Sequence, residues 1–315
     1  MNLGVALAWH VHPWEVLLDL VQRAESLGYA AVFVDGDVSM LARRPETDVL
    51  DGWTTTVALL ARTDRIPIGS MRLVEHWNPA RLAQAVASVD RITPGRLRFK
   101  ISIGDWETDA RFGYPRLPVG ERIQRLDEML DALRALWRGE TVTRAGHHVR
   151  LDRARVRPTP GGGRIPIAVS ARRPRMLGLV ARHADIWDVN LPPVASRVLE
   201  AAGHLEAACE GAGRDPSTIG RSMWIFTRIR DEGRAEEPLA EFRRLNPWFG
   251  DLTDPEARGA LVTGNPAACR ARLREIAREF SIDLPVIDLS GLEASASRRC
   301  LEALAPANNC VDAET

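Results

Sequence analysis

Histidine, tryptophan and acidic side chains gather at a few short sites in this 315-residue chain, each at the end of a short apolar run. Trp9, His10 and His12 follow residues 3–8, and Asp35 and Asp37 follow residues 30–34. Ser70, Met71, Glu75, His76 and Trp77 follow residues 66–69. Ser102, Gly104, Asp105, Trp106 and Glu107 close the run 97–103. Later come Ser170 to Arg173, then Trp187 with Asp188, then Thr227. Aromatic faces and backbone amides suit a planar ring, and carboxylates and imidazoles can hold or move a proton beside it. Asp105, beside Trp106, is placed for the desolvation that raises a carboxyl pKa, as a general acid requires. Glu107 has a similar claim, and either residue could instead cap the following loop. His10, His12 and His76 are further proton carriers or pocket walls. Trp14 and Trp137 read as core; Trp9 and Trp106 read equally as site or core.

Ser170-Ala171-Arg172-Arg173-Pro174 lies between an apolar run and a helix start. Free amides and the positive end of the helix dipole favour an anion there, and two arginines add charge-assisted donors. The competing reading is a solvated loop in an arginine-rich protein.

The elements that would carry these residues alternate. Strands are expected at 3–8, 30–34, 66–69, 97–103, 165–170, 185–189, 221–230 and 284–288, nearly all followed by amphipathic helices such as 14–27, 79–91, 119–137 and 195–211. Eight such units predict a single α/β domain, a (β/α)₈ TIM barrel over residues 1–306, with a disordered tail at 307–315. Insertions are expected after strand 4 and strand 7, with irregular segments at 39–49, 107–118 and 231–255 and a short extra strand near 147–151. In such a barrel the strand ends are where chemistry is kept. A dinucleotide-binding fold would require a G-x-G-x-x-G run after the first strand, where Trp9-His10-Val11-His12 stands instead.

Composition narrows the function. Basic and acidic residues number 42 each, so no overall field attracts nucleic acid or an anionic membrane. Lys100 is the only lysine, which sets aside most lysine-dependent chemistries and leaves arginine to meet anions. No apolar run is long enough to span a bilayer and no leader precedes the first strand, so a cytoplasmic protein is expected. Cys209, Cys269, Cys300 and Cys310 lack metal-site spacing and read as structural thiols in a reducing setting. His10, His12, Asp35 and Asp37 could form a metal cluster, as in a metal-dependent TIM-barrel hydrolase. The later strand ends offer too few histidines to complete it, so no metal is expected there.

Four motifs in order carry a resemblance. They are Asp51-Gly52-Trp53-Thr54, Ala61-Arg62-Thr63-Asp64-Arg65-Ile66-Pro67-Ile68-Gly69, Pro79-Ala80-Arg81-Leu82-Ala83, and Gly95-Arg96 ahead of a strand ending in Gly104. Together they resemble the luciferase-like family of flavin and deazaflavin oxidoreductases, with weaker similarity to about residue 288. The resemblance implies a deazaflavin (coenzyme F420) or FMN across the barrel mouth. Its contacts would be Trp9, Asp35, Ser70, Met71, Ser102, Gly104, Trp106, Ser170, Ala171, Arg172, Arg173 and Trp187. Asp105, His10, His76 and Glu107 would be the proton carriers. With F420 the reaction is hydride transfer between the reduced coenzyme and a small organic substrate. With FMN it is oxygenation, with reduced flavin supplied by a partner reductase. Family members also commonly dimerise and carry a non-proline cis peptide at the position of Ser70-Met71, a bond that costs roughly 3–4 kcal/mol. Deazaflavin members usually place an Asp-His pair after the second strand, where this chain reads Asp35-Gly36-Asp37. A non-catalytic flavin-binding barrel is the remaining alternative.

Overall fold

The structure, a computed structural model, describes residues 1–7, 12–34, 36, 49–104, 112–115, 117–162, 164–230 and 238–306. In chain order its elements begin with β1 (Gly4–Leu7), α1 (Trp14–Ser26), β2 (Ala31–Val34), α2 (Gly52–Ala61), β3 (Ile68–Leu73), α3 (Pro79–Ile92) and β4 (Leu97–Ser102). There follow α4 (Val119–Trp137), a hairpin of β5 (Val142–Ala145) and β6 (Arg150–Ala154), β7 (Ile167–Ala171), α5 (Pro174–His183), β8 (Ile186–Val189) and α6 (Ala195–Gly211). The last part holds β9 (Gly220–Ile229), α7 (Pro238–Leu245), α8 (Asp254–Gly259), β10 (Val262–Gly264), α9 (Pro266–Glu279), β11 (Leu284–Asp288) and α10 (Ala294–Ala303).

Strands β1, β2, β3, β4, β7, β8, β9 and β11 pair in that order, all parallel, and β11 returns to β1. This is the expected closed eight-stranded barrel. Register decides which side chains face inward, because directly paired residues of parallel strands point to the same side. The inner chain of partners runs through Met71↔Lys100, Lys100↔Ala168, Ser170↔Asp188, Asp188↔Ser222, Trp224↔Val286 and Ala6↔Asp288. The outer positions between them are Val5, Phe99, Ile101, Val169, Trp187, Met223, Ile225 and Ile287, all buried against the helices in one large core. Inside, Ala6, Ala31, Phe33 and Val286 pack as a small apolar plug. Barrel interiors of this width are filled by side chains, so a polar, small-residue upper layer leaves room at the mouth.

Local signals set the helices. The Asp51 carboxylate accepts from the Thr54 amide at 2.7 Å and starts α2. Asn78 caps α3 ahead of Pro79 by accepting from the amides of Ala80 and Arg81. Thr253 and Glu256 form a reciprocal capping box on α8.

Several expectations need revision. The third strand does not end at Gly69 but runs to Leu73, because Arg72 is buried within it. That guanidinium donates to Ser70 Oγ at 2.7 Å and lies over Trp53 and Trp77 at 5.5 and 6.0 Å, so a charged residue sits where apolarity alone predicts a loop. Residues 147–151 are a hairpin turn and the start of β6 rather than one strand. The segment 231–255 is not irregular throughout, since it contains α7 and a 3₁₀ turn, Pro247–Phe249. The short strand β10, absent from the sequence reading, adds to the edge of β9. The one cis peptide among the described residues is Arg157–Pro158, so the Ser70–Met71 bond is trans.

Cys209, Cys269 and Cys300 are buried free thiols, and burial pushes the Cys269 thiol up to about 11. Among the described residues no helix is long and apolar enough to cross a membrane. Cys310 and the tail 307–315 lie outside the described residues.

Candidate functional site

A cavity of about 850 Å³ opens at the C-terminal ends of the barrel strands. Its volume is in the range of small-molecule sites. The floor is polar. Lys100 on β4 forms an ion pair with Asp188 on β8 at 3.0 Å, both side chains all but excluded from solvent at 4% and 6% exposure. Ser222 Oγ donates to Asp188 Oδ1 at 3.1 Å, and the Lys100 ammonium sits over the rings of Trp224 at 4.6 Å and Phe33 at 5.1 Å. Every partner a buried charge pair needs is therefore supplied. Asp288, on the adjoining strand end, accepts from the Ser290 amide at 2.9 Å.

The outer wall is apolar and comes from the insertion after β9. Phe242 and Leu245 of α7, with Trp248 and Phe249 of the 3₁₀ turn, lean over the opening opposite Leu191 and Pro192. Phe226, Phe242, Leu252 and Ala257 form a satellite core that anchors this cover to β9. Arg172 ties it to the other side of the mouth by donating to the Trp248 carbonyl at 3.2 Å, and its guanidinium lies 5.6 Å from the Phe249 ring. Burial, with Arg173 alongside, holds the Arg172 guanidinium below its ordinary value. It stays charged, but at a cost that an anion would relieve. No side chain caps the first turn of α5 beside it, so those amides remain available as well.

The residues singled out from sequence divide by strand parity. Met71, Ser102, Gly104, Ser170 and Arg172 line the cavity. Ser70, Ala171 and Trp187 face the helix layer instead. Ser70 Oγ shares a hydrogen bond with Thr56 Oγ1 at 2.6 Å, and the Trp187 indole donates to the Ala171 carbonyl at 2.9 Å. Arg173 is exposed at the N-cap of α5. His76 is not at the mouth. It lies in a 3₁₀ turn after β3, stacks on Tyr114 with ring centroids 4.1 Å apart, and lines a separate cavity. His10, Trp9, Asp35, Asp105, Trp106 and Glu107 lie outside the described residues.

The sequence reading missed Lys100, Ser222, Trp224 and Phe226 as site residues, and it placed Asp188 at a strand end without assigning it a role. Alternation was the available signal. In Leu97–Ser102 the polar residues Arg98, Lys100 and Ser102 recur at every second position, as an inward face does. At Gly36, which also lines the mouth, a Cβ would lie 2.7 Å from the Met71 carbonyl oxygen, so the backbone as placed admits no side chain there.

Comparison with known proteins agrees with this geometry. The sequence profile of the family described as luciferase-like monooxygenase matches residues 1–283. The F420-dependent hydroxymycolic acid dehydrogenase of Mycobacterium tuberculosis is 28% identical over 272 residues, 84% of this chain and 73% of that protein. The phthiodiolone/phenolphthiodiolone dimycocerosates ketoreductase of the same species is 37% identical over 148 residues, 45% of this chain and 37% of that protein. Among solved structures, an F420-dependent secondary alcohol dehydrogenase in complex with an F420-acetone adduct superposes with a TM-score of 0.79. It is 19% identical, with 96% of this chain and 98% of that chain covered.

Proposed function

From the premise that the chain belongs to the luciferase-like monooxygenase family, we propose that it is an F420-dependent oxidoreductase transferring hydride between the reduced deazaflavin and a small organic substrate in the mouth cavity. The observation that carries this is the cavity itself, with its charged floor and aromatic cover. The residues present fit such a group: a flat apolar wall at Trp224 and Met71, polar contacts at Ser102 and Ser170, and a desolvated cation at Arg172 beside free helix amides for a phosphate.

The bound coenzyme supplies the hydride chemistry. What the protein does is orient, desolvate and protonate. Lys100 and Asp188 present a fixed dipole at the floor, preorganised by Ser222 and two rings, that stabilises charge arising above it. Phe242, Trp248 and Phe249 exclude water from above. Asp105, His10 and Glu107 remain the proposed proton carriers, on the strength of their positions after the first and fourth strands.

One observation favours a second reading, FMN-dependent monooxygenation with a partner reductase. Deazaflavin members of the family, by the resemblance noted above, usually carry a histidine where Gly36 stands, and Gly36 has no room for one. A homodimer and a cytoplasmic setting complete the proposal, the latter in keeping with the buried free thiols. Titration of the protein with F420 and with FMN, read by tryptophan fluorescence, separates the readings. Tight binding of F420, with oxygen-independent reoxidation of its reduced form by a carbonyl acceptor, supports the first; FMN binding, with oxygen consumption when reduced FMN is supplied, supports the second. Failure to bind either would remove both.

A further inference from the structure

A second cavity, of about 400 Å³, lies on the flank of the barrel between the turn after β3, the N-terminal half of α4 and the β5–β6 hairpin. His147 and His148 occupy the hairpin turn and line it. Glu121 projects from the first turn of α4 towards them. One ligand atom from each of the three, two imidazole nitrogens and a carboxylate oxygen, lies within 4.8 Å of the other two. From this juxtaposition we propose a binding site for a borderline divalent transition cation of the zinc class, separate from the mouth cavity.

Three features support it. First, two imidazoles and a carboxylate are a donor set that such cations favour over magnesium or calcium, and three protein ligands leave one position open. Second, Nε2 of His148 is buried and has no hydrogen-bond partner. A buried ring nitrogen without a partner costs free energy that a ligated ion would recover. Third, the turn is held in place by a separate device. Glu128, seven residues along α4 from Glu121 and on the same helix face, accepts from the backbone amides of His147, His148 and Val149 at 3.1, 2.9 and 2.8 Å. This clamp fixes the turn relative to α4 without using either imidazole. Gly146 is required beside it, since a Cβ there would collide with the Glu128 carboxylate.

Two arginines line the cavity, and neither carries its charge to the three ligands unopposed: Arg150 is exposed to solvent, which screens it. Arg125 reaches the same cavity but is paired with the buried carboxylate of Glu75 at 3.4 Å. Ligands of a tetrahedral zinc with bonds near 2.1 Å sit about 3.4 Å apart, so the three groups need only small side-chain rotations to close on an ion. A bound ion would then staple the hairpin to the start of α4. That helix follows the strand-4 connection, whose Tyr114 stacks on His76 of the same cavity.

The test uses the full-length protein, stripped with chelator and dialysed, and titrated with Zn²⁺ alone by calorimetry, with bound metal counted by elemental analysis. The expected result is one Zn²⁺ per chain at micromolar affinity or better, weakened at least tenfold in His148→Ala and in Glu121→Gln. His204→Ala, on an exposed face of α6, should leave binding unchanged. Titration with Co²⁺ should give the visible absorption of a four-coordinate site in the parent and lose it in His148→Ala. Circular dichroism and melting of each metal-free variant establish that it is folded. Should His148→Ala fail to fold, Glu121→Gln and His147→Ala carry the comparison. Absence of saturable Zn²⁺ binding overturns the proposal, as does binding that the folded variants leave unaltered.

Discussion

Replacement of Lys100 by methionine tests the floor of the mouth cavity most directly. Two unit charges 3.0 Å apart attract by roughly 5.5 kcal/mol at an effective dielectric of about 20. Removing one partner of a buried pair costs about 3–5 kcal/mol, because the other charge stays in a site built for its counterion. Lys100→Met should therefore lose about 3–5 kcal/mol in urea unfolding, followed by tryptophan fluorescence and circular dichroism with coincident transitions. Asp188→Asn should cost less. It keeps a partner for Ser222, and the orphaned ammonium retains the faces of Trp224 and Phe33, each worth about 0.5–2 kcal/mol. The double change Lys100→Met with Asp188→Leu should cost less than the sum of the two single changes by at least 2 kcal/mol, since no buried charge is left without its partner. A Lys100→Met variant within 1 kcal/mol of the parent, or additive single changes, would refute the claim that the pair is desolvated and coupled.

Three further outcomes are expected. Arg172→Ala should weaken cofactor binding by about 1–3 kcal/mol in a fluorescence titration, whereas Arg173→Ala, exposed at the helix start, should change it by no more than about 0.5 kcal/mol; equal effects would contradict the assignment. Burial raises the Glu128 carboxyl, but its three backbone amide donors together outweigh that and hold it below its ordinary value. A depressed carboxyl contributes stability in full above the unfolded value of about 4.3 and loses it as pH falls through the lower folded value, so exchange protection at residues 147–149 should be level from about pH 7 to 5 and decline below about 4, with Glu128→Gln removing that decline. Gly36→His should lower the melting temperature, an overpacking cost of about 1–3 kcal/mol, without raising hydride transfer; a fully stable variant would mean that the backbone there yields easily.

The architecture was legible because each strand of a barrel with helices outside it is an apolar run bounded by turn residues, and those runs fall at 3–8, 30–34, 97–103, 165–170 and 284–288 much as the strands do. The third strand was cut short at Gly69 because Arg72 is buried by two indole faces, and no local pattern announces that. α7 was missed because its apolar residues, Leu239, Phe242 and Leu245, are few and serve the satellite core. Among the described residues the cavity wall was legible in part: Met71, Ser102, Gly104, Ser170 and Arg172 line it, whereas some of their neighbours expected there do not. Trp187 and Asp188 are adjacent at one strand end and both of types that suit a cofactor site, yet strand parity turns the indole outward and the carboxylate inward. Ser70 and Met71 divide the same way. Residue type cannot resolve this; register can, and register is set by partners far away in sequence.

The two faces of the barrel wall explain why polarity and volume concentrate where they do. Outward positions carry the large apolar side chains and, with the helices, form most of the core. Little stabilisation is then asked of the inward positions, and this permits the polar Ser102, Ser170 and Ser222 and the buried Lys100, Asp188 and Asp288 to stand there. Phe33 belongs to both arrangements: its ring closes the lower plug with Ala6, Ala31 and Val286 and also forms one of the faces against which Lys100 rests. The ion pair thus sits at the boundary between a filled lower barrel and an open upper one. An approaching ligand meets it only from the mouth, after passing the aromatic cover tethered by Arg172. A charge pair so placed is shielded from water by the barrel wall and exposed to ligand from the mouth. There its field acts on whatever occupies the cavity with the least loss to solvent.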